Sequence, residues 1–434
     1  MKSEYQNSFI RVLCSVLLFV AIFGNSVYAQ PVGVWGLDRI DQRSLPLNST
    51  YNHSSDGGAG VTVYVFDTGI FADHREFNGR VATGYDAFRR SEPDGDCWEG
   101  NPNGHGTPVA AIIGGEDYGV AKAVTLVPVR VSACSNDDFA EIRRQVGGLL
   151  PPETAAVIAF ERGVQWVLED HNTPAVVNIS IEFEPGVLSD NAYRRYEAAM
   201  KRLHDAGIVT VVAAGNYSAS ACTSPLATAM DSITVAASTN KDQQASFSNF
   251  GSCVDIYAPG KSIVSASKLS VSKHAAFSAT SFAAPFVAGV AALYLQDHPN
   301  ASVYHVAEAI RRSATTGKIS NPSTGTPNRL LYSNLVADDP NNRTPVARND
   351  NFGDIDAGDN IFLFPLRNDS DPDGNPLTII SVTQPSSGRV SITSNGRELY
   401  LVPNSGTGNR SFTYVISDNN GGIAQATVSY RVVN

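Results

Sequence analysis

Gly60-Val61-Thr62-Val63-Tyr64-Val65-Phe66-Asp67-Thr68-Gly69-Ile70 decides the fold. Gly60 to Phe66 reads as a strand made almost entirely of β-branched and aromatic residues, with little polar alternation. A strand that is apolar on both faces needs cover on both, the situation of a parallel sheet packed between helices. The run then stops at a carboxylate, Asp67, and a turn. Open α/β sheets build their sites at the carboxyl ends of their strands, so Asp67 is a candidate for chemistry as well as a strand terminus.

The same alternation of strand and helix continues outward. Val124 to Val131, Val176 to Phe183, Val209 to Ala214 and Ile233 to Ala237 read as further strands. Gly106 to Gly114, Thr154 to Glu169, Asp190 to Ala206 and Val303 to Ser313 read as helices, and Ser281 to Gln296, rich in Ala and Val, as a buried one. The fold class is α/β, a parallel sheet in three layers. After it, Asp338-Asp339-Pro340-Asn341-Asn342-Arg343-Thr344-Pro345 has the composition of a linker. Short alternating stretches follow at Leu377 to Val382, Gly388 to Ile392, Glu398 to Val402, Ser411 to Ser417 and Ala424 to Val433, with turns between them. These describe a small antiparallel all-β sandwich without internal repeats. The division is therefore 1–29, 30–337, a linker over 338–345, and 346–434.

The 434 residues are 42% hydrophobic and 17% charged, a globular balance. A formal net charge of −10, with no basic cluster, opposes binding to nucleic acid or anionic lipid. Lys2 and Arg11, the apolar run Val12 to Phe23, and the small residues before Ala29 form a secretory signal peptide cut after Ala29. The alternative, a membrane anchor, needs roughly 20 apolar residues, and no later segment has them. A secreted, extracellular or periplasmic location follows. Cys14 leaves with the signal, and Cys97, Cys134, Cys222 and Cys253 remain. An even number in an oxidising compartment points to two disulfides in any of three connectivities, against the alternative of buried thiols.

Asn103-Gly104-His105-Gly106-Thr107-Pro108 sets an imidazole between glycines, and Phe277-Ser278-Ala279-Thr280-Ser281-Phe282-Ala283-Ala284-Pro285 carries a serine at the expected start of a buried helix. A serine hydroxyl becomes a competent nucleophile when an imidazole takes its proton. The imidazole in turn needs an anion to fix its tautomer and stabilise its cation. Asp67, His105 and Ser281 can fill these roles. Asn216, closing the strand run Val211-Val212-Ala213-Ala214-Gly215-Asn216, can donate to an oxyanion. Singly, an Asp after a strand, a His beside Gly and an Asn after Gly are ordinary turn and loop residues; their joint occurrence is not ordinary.

Over about Trp35 to Leu335 the chain resembles the subtilisin-like serine peptidases, in their proteinase K and aqualysin branch. The matching segments are Trp35-Gly36-Leu37-Asp38-Arg39-Ile40, Asp67-Thr68-Gly69-Ile70, His74-Arg75-Glu76-Phe77, Asn103-Gly104-His105-Gly106-Thr107, Gly119-Val120-Ala121, Ala213-Ala214-Gly215-Asn216, Ser246-Phe247-Ser248-Asn249-Phe250-Gly251, Ala258-Pro259-Gly260 and Thr280-Ser281-Phe282-Ala283-Ala284-Pro285. The order Asp, His, Ser is also that of subtilisin. The resemblance implies a serine endopeptidase acting on polypeptides, needing no cofactor for the chemistry. It implies Ser281 as nucleophile, His105 as proton shuttle, Asp67 as orienting acid, and Asn216 with the Ser281 amide as oxyanion hole. Ser180, Ile181 and Glu182, with Ala213, Ala214 and Gly215, fall in its substrate-binding segments. It pairs Cys97 with Cys134 and Cys222 with Cys253.

The chain also departs from this pattern. Ala279 stands where the family has glycine, and a positive φ there would strain the turn by about 1 kcal/mol or more. Phe282 replaces a methionine behind the nucleophile, and Pro108 a histidine in a first helical turn that tolerates it. Asn178-Ile179-Ser180-Ile181-Glu182-Phe183-Glu184 replaces a glycine-rich pocket wall, so Glu182 or Glu184 is expected to exclude bulky side chains or favour basic ones, unless both are solvated. Asn136 to Pro152 reads as a lid or a variable loop. Trp35-Gly36-Leu37 follows the signal almost directly, so no propeptide is expected. In the tail, Asn349-Asp350-Asn351-Phe352, Asn368-Asp369-Ser370-Asp371-Pro372-Asp373-Gly374-Asn375-Pro376-Leu377-Thr378 and Phe412-Thr413-Tyr414-Val415-Ile416-Ser417-Asp418-Asn419-Asn420-Gly421-Gly422 resemble cadherin-like, immunoglobulin-type modules of bacterial surface and secreted proteins. A surface, a glycan or another protein is its expected partner, and structural Ca²⁺ at Asp369, Asp371 and Asp373 is the reading set against a solvated acidic turn. The rival to an active peptidase is a catalytically impaired scaffold acting as an extracellular binding or adhesion protein.

Overall fold

The computed structural model describes residues 27–31, 34–54, 56–97, 102–148, 150–171, 174–229, 231–335, 341–393 and 396–433. The signal peptide up to residue 26, and residues 338–340 of the linker, lie outside them. The expected cut after Ala29 falls within the strand Val27–Pro31, which pairs antiparallel with Thr50–Ser54.

Val63 and Val65 pack to one side of the strand Thr62–Asp67, and Tyr64 and Phe66 to the other. The apolar run thus feeds two cores at once, as its lack of alternation predicts. The first core holds the helices Gly106–Gly114 and Ala284–Asp297, and the second holds Pro152–Asp170 and Asp190–Asp205. On the second side Phe66 meets Phe160 edge-on, with ring centroids 5.6 Å apart. The sheet has nine strands in the order Thr315–Thr316, Arg329–Leu330, Ile256–Pro259, Ile233–Ser238, Val209–Ala213, Ala175–Ile179, Thr62–Asp67, Thr125–Arg130, Tyr85–Asp86. Neighbours are parallel except the first pair. From Thr62–Asp67 the chain builds toward Thr125–Arg130 on one side and then crosses to Ala175–Ile179 on the other, which puts the topological switch point at Asp67.

In the helix Ala284–Asp297 every residue but Leu293, Gln296 and Asp297 is buried, as an all-apolar helix between sheet and neighbours must be. It starts later than expected: Thr280–Phe282 is a separate 3₁₀ turn. The strand expected to run to Phe183 ends at Ile179, and Ser180–Glu184 is irregular. The helix Trp35–Ile40 is tied down by the buried Arg39, whose guanidinium bonds both oxygens of Asp242 at 2.7 and 3.0 Å.

The segment read as a lid or loop over 136–152 is mostly a helix, Asn136–Val146. Ser135 caps it and Asp138 completes the capping box. The Asp138 carboxylate is buried and receives Arg130 at 2.9 Å and Arg89 at 3.0 Å, so this segment is anchored to the sheet.

Both disulfides adopt the implied pairing, Cys97 with Cys134 and Cys222 with Cys253, at Cα separations of 5.7 and 5.2 Å. The C-terminal module has a four-stranded sheet, Asp350–Asp356, Ile423–Val433, Gly408–Ser417 and Thr378–Val382, and a three-stranded one, Ile361–Leu363, Leu399–Val402 and Arg389–Ile392. Leu363, Leu399, Leu401, Tyr414, Ile416 and Val428 fill the space between. One pair departs from the antiparallel expectation, Asp350–Asp356 running parallel to Ile423–Val433.

Cys222 and Cys253 close a loop of 31 residues, which chain-entropy reasoning values at about 3 to 4 kcal/mol. Replacing both with serine should lower the unfolding free energy by that amount in denaturant titrations; a loss below about 1 kcal/mol would show that the bridge does little to constrain the unfolded chain.

Candidate active site

Asp67 ends its strand fully buried, and the next turns decide what it meets. Gly69 has φ +106°, and a Cβ there would lie 1.9 Å from Gly95 O. A Cβ on Gly106 would lie 2.0 Å from Gly69 O. The absence of a side chain at Gly106 lets the helix after His105 close on the loop after Asp67, and its absence at Gly69 lets that loop close on the segment at Gly95. His105 Nδ1 then stands 2.6 Å from Asp67 Oδ1, which also accepts from Thr68 N at 2.7 Å. A carboxylate so placed holds the proton on Nδ1 and leaves Nε2 as the nitrogen able to take one.

Asp96 holds this arrangement from the side. Its carboxylate accepts from His105 N at 3.1 Å, Thr107 N at 2.9 Å and Thr68 Oγ1 at 2.8 Å, and Thr68 Oγ1 accepts from Gly106 N at 3.0 Å. The negative end of this network lies at the N-terminus of Gly106–Gly114, where the helix dipole favours it. Burial works against a charged His105, but the carboxylates of Asp67, Asp96 and Glu182 outweigh it and hold the imidazole pKa above its ordinary value.

Ser281 is buried in the 3₁₀ turn Thr280–Phe282, one residue before the helix beginning at Ala284. Its carbonyl accepts from Ser180 Oγ at 2.9 Å, and Ser180 Oγ accepts from Asn178 Nδ2 at 2.9 Å. Ala279 has φ −173°, ordinary extended backbone, so the strain expected from alanine in place of glycine does not arise. The Phe282 ring packs 4.9 Å from Phe277 and 5.3 Å from the His105 ring, forming an apolar wall behind the imidazole.

Asn216 follows Gly215, whose φ is +101° and whose added Cβ would sit 2.3 Å from Asn249 Nδ2. Asn216 Oδ1 accepts from Thr280 N at 2.7 Å and Thr280 Oγ1 at 3.1 Å, which fixes the carboxamide with Nδ2 pointing the other way. Nδ2 and the backbone N of Asn216 donate to Glu182 Oε2 at 2.9 and 2.6 Å. Glu182 is therefore bound rather than merely solvated. Burial raises its pKa, only partly offset by these two bonds and by His105.

The remaining substrate-binding candidates turn inward. Ser180 supports the Ser281 carbonyl, and Ile181 packs against the second core. Ala213 and Ala214 have buried side chains, while Ala214 O accepts from Asn249 Nδ2 and Gly215 N donates to Thr280 Oγ1. Asp96, Thr68, Thr280 and Asn249 were not singled out from sequence. Thr280 and Asn249 lie inside quoted motifs, whereas Asp96 has no signal beyond its place beside Cys97.

Asp369, Asp371 and Asp373 are not drawn together as a cation site. Asp369 accepts from Tyr414 Oη and Arg348 N, Asp371 Oδ1 from Asp373 N and Asn375 N, and Asp373 pairs with Arg343 at 2.8 Å. Among the described residues no three His, Cys, Asp or Glu side chains gather to hold a metal. Asp371 ties its own turn, whereas Asp369 and Asp373 hold residues 21 to 45 positions away.

The subtilase family profile matches residues 58–344, and that of a bacterial Ig domain residues 342–431. An extracellular serine proteinase of Thermus sp. (strain Rt41A) is 44% identical over 70% of this chain and 67% of its own length. An alkaline serine exoprotease A of Vibrio alginolyticus is 42% identical over 71% of this chain, which spans 52% of that relative. The crystal structure of a cold adapted subtilisin-like serine proteinase superposes with a TM-score of 0.59 at 39% identity, over 71% of this chain and all of that one. The nine-stranded sheet with its switch point at Asp67 and these matches agree: the chain belongs to the subtilase family of serine-type endopeptidases, with a bacterial Ig domain at its C-terminal end.

Proposed function

We propose that the chain is a secreted endopeptidase in which Ser281 attacks the scissile carbonyl, His105 takes the hydroxyl proton and returns it to the leaving amine, and Asp67 stabilises the imidazolium between the two steps. The observation that carries the reading is the 2.6 Å contact between His105 Nδ1 and the buried Asp67 carboxylate, at the switch point of the sheet. Asn216, its carboxamide oriented by Thr280, supplies a donor to the tetrahedral oxyanion. The extracellular serine proteinase of Thermus sp. supports secretion, and among the described residues no helix is long and apolar enough to cross a membrane. The C-terminal module would attach or space the peptidase at a surface, glycan or protein.

Glu182 and Glu184 bear on substrate choice. Burial and then both carboxylates push up the phenol pKa of the exposed Tyr217, so their charges act on one patch beside Asn216. Among the described residues neither has a lysine or arginine partner, which favours basic side chains on the substrate. Fluorogenic peptides ending in arginine or lysine before the scissile bond should be cleaved at least about tenfold faster than otherwise identical peptides with phenylalanine there; a preference for phenylalanine would refute this specificity.

A fluorophosphonate probe should label the wild type and spare Ser281→Ala, and Asn216→Ala should cut kcat by about 10² to 10³ while KM moves little. Failure of the folded wild type and of folded Glu182→Ala alike to label would sink the catalytic assignment. The pH profile follows from His105. Its imidazole must be neutral to accept the proton, and a raised pKa keeps it protonated to higher pH, so kcat/KM should fall on acidification from above the ordinary imidazole range. Asp67→Asn should move that limb to lower pH as well as slow turnover, and an unmoved limb would show that another group sets it.

A further inference from the structure

The contact between Glu182 and Asn216 has the form of an occupied anion site. Thr280 donates twice to Asn216 Oδ1, so the amide cannot turn over without losing both bonds. Nδ2 is thereby aimed outward, and what it meets, together with Asn216 N, is a single oxygen of Glu182 at 2.9 and 2.6 Å. A carboxylate oxygen on Asn216 Nδ2, within the electrostatic reach of His105, puts negative charge on the donor that the oxyanion of peptide hydrolysis would use.

We propose that Glu182 is an internal occupant of the oxyanion site, holding the resting peptidase with its own carboxylate on the Asn216 donors, and that turnover requires this carboxylate to leave. The inference rests on the peptidase reading above. Asn216 Nδ2 is the donor both anions need, the carboxylate together with Asn216 N and the oxyanion together with the Ser281 amide, so the two bind in competition. The backbone permits the exchange. The strand stops at Ile179, Ser180–Glu184 is unpaired with any strand, and the Glu182 residue is exposed enough to swing into water. The titratable groups facing the contact are His105, whose charge favours the docked carboxylate, and Tyr217 with Glu184 behind it. Substrate binding and release of Glu182 are then one event, which confines activity to ligands able to move it.

The test compares the wild-type chain with Glu182→Ala and with the nearly isosteric, uncharged Glu182→Gln. Two ligands of one peptide sequence are used: a C-terminal boronic acid, which forms a tetrahedral anion on the serine, and the corresponding amide, which does not. Both variants should bind the boronate at least about tenfold more tightly than wild type and react faster with a fluorophosphonate, while affinity for the amide changes by less than about threefold. In an Asn216→Ala background the effect of Glu182→Ala on boronate binding should vanish. Equal tightening of both ligands would mean that Glu182 merely fills the peptide cleft, and unchanged boronate binding that it is no competitor; either overturns the proposal and leaves the peptidase reading standing. If neither wild type nor any variant takes boronate or fluorophosphonate, the peptidase reading falls and this inference with it.

Discussion

The close approach of Gly106 to Gly69 is the constraint on which the site depends. Asp67 and His105 belong to different elements, one at the end of a sheet strand and the other at the head of a buried helix, and nothing local draws them together. They meet because Gly106 has no Cβ, which would lie 2.0 Å from Gly69 O, while Gly69 packs in the same way on Gly95 O, 1.9 Å from where its own Cβ would be. Asp96 then completes the closure by accepting from both sides of it, through Thr68 Oγ1 and through the amides of His105 and Thr107. The ion pair is thus the product of two backbone surfaces fitting, held by hydrogen bonds that surround the carboxylate and imidazole.

A second set of contacts acts from the opposite side of the cleft. Thr280 precedes the serine and at the same time fixes the Asn216 carboxamide, while Ser180 reaches the serine's own carbonyl. Serine, asparagine and the irregular stretch Ser180–Glu184 are consequently parts of one hydrogen-bonded assembly. Where glycines would offer only backbone, Glu182 introduces a charge into that assembly, and its raised pKa reflects burial against two bonds from Asn216. A single side chain in a pocket wall can in this way act on the chemistry as well as on the fit of the substrate.

Much of this was legible beforehand because it is written in local pattern. The apolar, non-alternating Val63-Tyr64-Val65-Phe66 can only be a strand covered on both faces, and the all-apolar stretch after Ala284 only a buried helix. Five of the tail's seven strands among the described residues announced themselves by alternation and turns, while Asp350–Asp356 and Ile361–Leu363 did not. The failures have physical causes. Asn136–Val146 is polar because its exposed face is solvated, and its anchoring residue, Asp138, looks like surface charge until Arg130 and Arg89 are known to face it. The capping signal Ser135-x-x-Asp138 was there to be read. Strain at Ala279 depended on a dihedral angle that residue type does not dictate, and the angle proved to be extended. The spacing of Asp369, Asp371 and Asp373 fits a cation loop and an acidic turn alike, and it says nothing of the distant partners, Tyr414 and Arg343, that two of these carboxylates meet.

Fold class, the candidate triad with its order and, through the resemblance, the pairing of the cysteines could all be read from the string of amino acids. These are properties of composition, periodicity and motif, which survive without coordinates. How the parts bear on one another came from the folded chain: that Asp96 holds the His105 backbone and Thr280 the Asn216 carboxamide, that Phe282 walls the imidazole, and that Glu182 binds Asn216. Each depends on residues brought from distant parts of the chain to within hydrogen-bonding or contact distance, with the Glu182 and Asn216 pair 34 positions apart. Hydrogen bonds and charge interactions fall away within a few ångströms, so their partners are set by the path of the folded backbone and not by separation along the sequence.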